Sequence, residues 1–371
     1  MTWHKLWSKI RRPLSYGLVI FLVGGFGGLF MQKYLAPYLS SKPLFRNIGL
    51  LRTDSPLVIT RTEQVRVNEG VKLIDLVKQL TPNVVAVIGG RGEPGVDFSE
   101  NVKGSGVIIS SDGVVASDKS FFADRQNSYW AVTSDGAVYP ITILAEDPKS
   151  ELVFVKIEDG TLSPVQFGIS SELETGQQTV LLSGTEASNL TALRVSFISS
   201  APGNLSFGEI YSSEDYFRPF ALDADLQAGE GVFNLQGQLI GLGSESGIIP
   251  AEVIRSAQES FFAAQKIIRP RLGVNYSILT KARGKLLGMG EIEGIMLRSL
   301  GRTPAVVPGS PAAAAGLEEG DVIVRINGEN VNAKQGLSIF LNRAKPGDTW
   351  LLTILRGGVE QEVDLILGEV K

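Results

Sequence analysis

Residues 222–241 read LDADLQAGEGVFNLQGQLIG: a polar run, a glycine-rich turn at Gly229 and Gly231, and an apolar strand that restarts after Gln236 and Gly237. A turn of this kind feeding a strand is a common seat for a nucleophile or a bound anion. Yet no Ser, Thr, Cys or Lys occurs from Glu214 to Gly243. The chain has no cysteine and a single histidine, His4. Thiol catalysis, disulfides and zinc–cysteine sites are therefore excluded by composition. A histidine-based triad or metal site would have to draw on the extreme N-terminus. Lys119 and Ser120 are an adjacent pair suggesting a Ser–Lys dyad, in which a buried lysine acts as base. Neighbours on a strand point to opposite faces, so the two are expected not to meet, with Lys119 solvated. Asp223 and Asp225 are expected on one face of a strand, without the third carboxylate a cation site needs. No cofactor and no metal are expected.

The segments that must position these residues differ in character along the chain. Residues 1–12 carry Lys5, Lys9, Arg11 and Arg12 and no acid; with a net charge of −4 overall, the remainder carries −8. A mildly acidic body argues against a nucleic-acid partner, whose phosphates demand a basic face. Residues 13–31, PLSYGLVIFLVGGFGGLFM, form an uncharged apolar run. As a helix it reaches roughly 28 Å, enough for a bilayer core of about 30 Å. The run continues to Met31 with no Ala-x-Ala site after it, which favours an uncleaved single-pass anchor over a signal peptide. The preceding basic cluster places 1–12 in the cytoplasm and the rest on the exported side of the cell (inner) membrane. Residues 32–68, broken by Pro37, Pro43 and Pro56, read as a linker.

From residue 69 the pattern becomes globular. Leu73, Leu76, Val77 and Leu80 recur at helical spacing, and Pro82 ends that helix before the strand VVAVIG. Short strands then follow at intervals of about ten residues, separated by turns such as SDG, with almost no helical periodicity. This is the signature of an antiparallel sandwich or barrel.

The wording of the strands carries a resemblance. VKGSGVIISSDGVVASDKSFF, AEDPKSELVFVKI, LLSGTEASNLTALRVSFISSA and LDADLQAGEGVFNLQGQLIGL, in that order, resemble successive segments of the HtrA (Do-like) family of trypsin-fold serine proteases. That resemblance implies a trypsin-like double β-barrel over 69–262. In the family, His, Asp and Ser form an acyl-transfer triad. The corresponding positions are Ser120 for the histidine, Glu151 for the aspartate, and Gly231 or its neighbour for the serine, in a turn that is also shortened. Base and nucleophile are both missing, and the backbone donors of an oxyanion hole are expected to be displaced.

A second resemblance closes the chain. RPRLGVNYSI and VVPGSPAAAAGLEEGDVIVRINGENV are similar to the PDZ-domain core, which implies an α+β PDZ domain over 263–371. PDZ domains take a peptide C-terminus as an added strand, with its carboxylate on backbone N–H groups of a short loop. Here that loop is Arg271, Leu272, Gly273 and Val274. Gly273 permits the turn, Arg271 offers charge, and Leu337 and Leu341 are candidates for the side-chain pocket, although Leu272, Val274, Leu337 and Leu341 would equally fill a core.

The expectation is a mostly β, membrane-anchored HtrA-like pseudoprotease. It would bind peptides or protein C-termini as an adaptor, sensor or scaffold in envelope protein quality control. The resemblance implies a homotrimer, or a complex with a membrane protease. Two alternatives are an active endopeptidase with unconventional catalytic residues and a structural subunit of a membrane complex.

Overall fold

The computed structural model describes residues 19–35, 38, 69–90, 102–158, 162–184, 191–200, 209–213, 220–332 and 336–370. The basic N-terminus with His4, most of the linker, and residues 13–18 of the apolar run lie outside them. Residues 19–30 are helical, every described side chain among them exposed, and continue into a π-helical turn, Met31–Leu35. No helix among the described residues is long and apolar enough to cross a membrane. This segment belongs to one compact unit, Met1–Arg66; the rest of the chain, Val67–Lys371, forms another.

The second unit opens with helix α1 (Glu69–Leu80). A 3-10 turn containing Pro82 closes it and hands the chain to β1 (Val84–Gly90). With β2 (Val102–Ile108), β3 (Val114–Asp118), β4 (Ser128–Val132), β5 (Val138–Pro140), β6 (Thr142–Glu146) and β7 (Leu152–Lys156), β1 forms an antiparallel sheet ordered β5-β4-β1-β2-β3-β7-β6. β1, β3 and most of β7 are buried on both faces, which is why they read as continuous rather than alternating apolar runs.

A second sheet joins β8 (Gln166–Phe167), β9 (Gln178–Gly184) and β10 (Thr191–Ser200) to β12 (Ala221–Leu222), β13 (Gly231–Asn234), β14 (Gln238–Ser244) and β15 (Gly247–Pro250). Its order is β12-β10-β9-β13-β14-β15, with β8 alongside β14. Val107, Ala116 and Phe154 of the first sheet share one core with Leu182, Phe233 and Leu242 of the second. Helix α2 (Ala251–Ala264) packs Val253, Ile254, Ala257 and Phe261 onto the same core.

The C-terminal part has its own core, built around Tyr276, Ile295, Ile323, Leu352 and Ile354. The short strand β16 (Pro270–Arg271) pairs with β23 (Gly368–Glu369). The main sheet runs β17 (Asn275–Leu279), β18 (Gly294–Leu297), β19 (Val322–Ile326), β21 (Thr349–Arg356) and β22 (Val359–Ile366), with β20 (Glu329–Asn330) beside β19. Three helices connect them: α3 (Lys281–Leu286), α4 (Pro311–Ala314) and α5 (Gly336–Arg343). One strand of this sheet comes from elsewhere. β11 (Tyr211–Ser212), from the segment between β10 and β12, pairs with β17 and forms the edge of the sheet.

Candidate functional site

The fold draws the regions of Ser120, Glu151 and Gly231 together. β3 ends at Asp118, whose buried carboxylate accepts the Ser120 N–H at 2.8 Å and starts a 3-10 turn, Lys119–Phe122. Lys119 and Ser120 therefore lie on a turn, not on a strand: the short carboxylate competes with the ladder for the backbone. Nor is Lys119 the solvated residue expected. It is half-buried, its N–H donates to Glu151 O at 2.7 Å, and its Nζ donates to Ser150 O at 2.7 Å. The lysine staples the turn to the segment that carries Glu151, itself half-buried.

Phe121 follows Ser120 and fills the space toward the glycine-rich turn. A Cβ at Gly104 would overlap its ring, and one at Gly229 would lie 3.0 Å from it while overlapping the Ser105 carbonyl oxygen. Gly229 also adopts φ +73°, so glycine is required there twice over.

The turn itself is closed by charge. Glu230 is fully buried, and Arg194 on β10 grips it: Nε donates to Oε1 at 3.2 Å and Nη2 to Oε2. Arg194 Nη1 also reaches Asp225 O at 2.7 Å, and the Gln227 N–H donates to Glu230 Oε2 at 3.1 Å. The backbone donors of the turn are spoken for. The Gly229 N–H bonds Gly243 O at 2.8 Å and the Glu230 N–H bonds Gln227 O at 3.1 Å, while Gly231 is paired on both sides, with Leu242 and Leu182. An oxyanion site needs donors preorganised toward one point where charge develops; these point into the ladder and the turn. Replacing Arg194 with alanine would leave the Glu230 carboxylate buried with one backbone donor, and urea unfolding should show a loss of about 2–3 kcal/mol.

Asp223 and Asp225 are not a pair on one strand face, because β12 stops at Leu222. Asp223 accepts the Phe197 N–H at 2.8 Å and the Ser196 hydroxyl at 2.5 Å, and these bonds hold its carboxyl below the usual range.

In the C-terminal sheet the loop residues take separate parts. Arg271 lies in β16, opposite Gly368. Leu272 and Val274 are fully buried in the C-terminal core, as is Leu337 on α5. Gly273 adopts φ +83°, and a Cβ there would overlap Ser310. Its carbonyl accepts the Val307 N–H at 2.9 Å and the Ser310 hydroxyl at 3.2 Å, so the loop is fixed from behind. Leu341 lines a cavity of about 30 Å³ together with Lys149, Ser213, Ser338 and Asn342.

Sequence reasoning missed the device that seats this sheet on the barrels. Asp147 and Arg269 are both buried; Arg269 Nε lies 3.2 and 3.1 Å from the two carboxylate oxygens and Nη2 bonds Oδ2. The remaining capacity of Asp147 is taken by the Lys149 N–H at 3.0 Å and the Ser150 hydroxyl at 2.8 Å. Arg269 adds bonds to Ser256 Oγ and Val253 O on α2. The signal was the Asp-Pro of AEDPKSEL, overshadowed by Glu151 four residues on.

Two parts of the chain match known families. Residues 104–242 match the family described as "Trypsin-like peptidase domain", and residues 270–367 match that described as "PDZ domain". A protein of Rhizobium meliloti named "Probable periplasmic serine endoprotease DegP-like" is 26% identical over 300 residues, covering 76% of this chain and 55% of its own length. A protein of the same name from Bartonella henselae is 27% identical over 276 residues, covering 71% of this chain and 52% of its own. This chain thus spans about half the length of the curated relatives it matches. Among solved structures, "HtrA-type protease AlgW with decapeptide" superposes with a TM-score of 0.57 at 22% identity, over 80% of this chain and 98% of that one. The same protease with a tripeptide gives 0.57, at 22% identity over 80% and 97%. These two likenesses concern the fold.

Proposed function

We propose that this chain, an HtrA/DegP-type pairing of a trypsin-like domain with one PDZ domain, is a pseudoprotease whose working site is its peptide groove. The observation that carries this reading is the state of the turn at Gly229–Gly231. Its N–H groups are bonded within the fold, its side-chain space is taken by Phe121 and Ser105, and no serine stands in it. Hydrolysis by the triad route needs a nucleophile, a base and an oxyanion site together; none of the three finds its residues here. With His4 the only histidine, no imidazole base is available from residue 5 onward.

The PDZ domain keeps its elements: the glycine loop at Gly273, the strand β17, whose edge β11 occupies, and the helix α5. It binds protein or peptide C-termini, and the chain acts as an adaptor or sensor in envelope protein quality control. The DegP-like relatives are named as periplasmic, and the solved HtrA-type protease is described with a decapeptide and with a tripeptide; both fit an exported peptide-binding role. Residues 13–31 serve as its membrane anchor, and the trypsin-like domain as the site of self-association or of docking to a membrane protease.

The purified chain should take no covalent label from a fluorophosphonate probe and should leave casein intact. Covalent labelling would overturn the pseudoprotease reading. A screen of C-terminal peptides should give binding to the free carboxylate and none to the amide.

A further inference from the structure

The peptide edge of the PDZ sheet already carries a strand from this chain. Tyr211 stands opposite Tyr276 and Ser212 opposite Asn275, antiparallel, on the open side of β17. Ser213 ends the strand at the glycine loop. Its N–H donates to Val274 O at 2.8 Å, and its hydroxyl accepts the N–H of Gly273 at 3.1 Å and of Val274 at 2.9 Å. Its carbonyl accepts Lys149 Nζ at 3.2 Å, and the residue is buried. The Tyr211 ring packs on Tyr276 at 5.8 Å between centroids. A peptide bound by strand addition would make the same ladder, with its carboxylate on the same two amides.

We infer that residues 211–213 are an internal stand-in for a peptide C-terminus, and that they define the ligand which displaces them. The inference rests on the PDZ groove being a peptide site. The Ser213 hydroxyl occupies the position of one carboxylate oxygen and its carbonyl the position of the other, beside Lys149. A carboxylate on these donors makes charge-assisted bonds about twice as strong as those of a neutral oxygen, so a true chain end outcompetes the stand-in per contact. The stand-in has the advantage of a tether, which gives it an effective concentration of order millimolar.

The ligand class follows from the same contacts. It has a free carboxylate, an aromatic residue third from the end to take the place of Tyr211 on Tyr276, and a small last side chain. The limit on that side chain is the cavity of about 30 Å³ beside Ser213, Ser338, Leu341 and Asn342. Lys149, two residues from the Glu151 position, is the cation that reads the carboxylate, in place of Arg271.

The test is fluorescence anisotropy on the full chain, with a labelled peptide Phe-Gly-Glu-Ile-Tyr-Ser-Ala as free acid and as amide. The proteins are wild type, Ser213→Ala and Tyr211→Gly; Ser213→Ala is the milder change and guards against misfolding of the other. Occupancy lowers apparent affinity by the fraction of grooves that are open, and each variant removes roughly 1 kcal/mol of the stand-in's hold. Both should therefore bind the free acid about fivefold tighter than wild type. Hydrogen exchange at the Gly273 and Val274 amides should be faster in the variants. Equal free-acid affinity in all three proteins, or unchanged exchange at those amides, would overturn the stand-in while leaving a peptide-binding PDZ domain. No preference for acid over amide in any of them would overturn the groove itself and the proposed function with it.

Discussion

Replacing Asp147 with asparagine is expected to lower stability by about 3–5 kcal/mol at neutral pH, the cost of breaking a buried ion pair from one side. The amide keeps the shape of the carboxylate but leaves the Arg269 guanidinium buried without its counter-charge, among partners chosen for an anion. The loss should appear as an earlier urea midpoint. It should be accompanied by faster proteolysis near Arg269, because this pair holds the entry to the PDZ domain, β16, against the β6–β7 loop and α2.

The same pair sets a pH dependence. Burial alone would push the Asp147 carboxyl up; the Arg269 charge, with hydrogen bonds from Arg269, the Lys149 N–H and Ser150, outweighs it and holds the carboxyl below its usual range. A carboxyl depressed in the folded state contributes stability in full above its unfolded value, about 3.9. That contribution disappears as pH falls through the lower, folded value. The difference between wild type and Asp147→Asn should therefore be constant from pH 7 to about 5, shrink below about 4, and close in stronger acid. A gap independent of pH would assign the effect to packing and not to charge.

The second large effect is a failure of repair. A variant carrying Ser120→His, Glu151→Asp and Gly231→Ser restores the triad residue types of the HtrA pattern, yet it should neither label with a fluorophosphonate nor cleave casein. A Cβ at Gly231 would sit 2.6 Å from the Phe233 ring and 3.0 Å from Val107, so the serine would enter a packed core. Overpacking of this kind costs about 1–3 kcal/mol, and the midpoint of unfolding should move accordingly. Moving the serine to Gly229 is worse: φ is +73° and the new Cβ overlaps the Ser105 carbonyl. Neither site gains an oxyanion hole, since the turn's N–H groups stay bonded to Gly243 and Gln227. Measurable esterase turnover by the triple variant would show that the turn can reopen, and would contradict a site closed by its own fold.

Much of the body was legible in the sequence, for physical reasons that can be named. α1 and its stop were visible because Leu73, Leu76, Val77 and Leu80 share a helical face and Pro82 cannot extend it. The strands of the barrels and of the PDZ sheet were visible because turn residues interrupt apolar runs. Local rules failed where a contact crosses the chain. The alternation that put Lys119 and Ser120 on a strand yielded to the Asp118 carboxylate. Asp223 and Asp225 look like a strand pair until Ser196 and Phe197, on another strand, claim Asp223.

The sequence by itself determined which side chains are on offer: a single histidine at position 4, no cysteine, and no serine in the turn at Gly229–Gly231. It also determined the periodicities that build two sheets and a PDZ domain. Only the tertiary structure decided which charges meet and which strand lies in the groove. Arg194 finds Glu230, Arg269 finds Asp147, and Ser213 finds Gly273 across sequence separations over which no periodicity carries information. A buried charge or an unpaired N–H is costly wherever it falls, but the partner that relieves it is chosen by the packing of the whole domain.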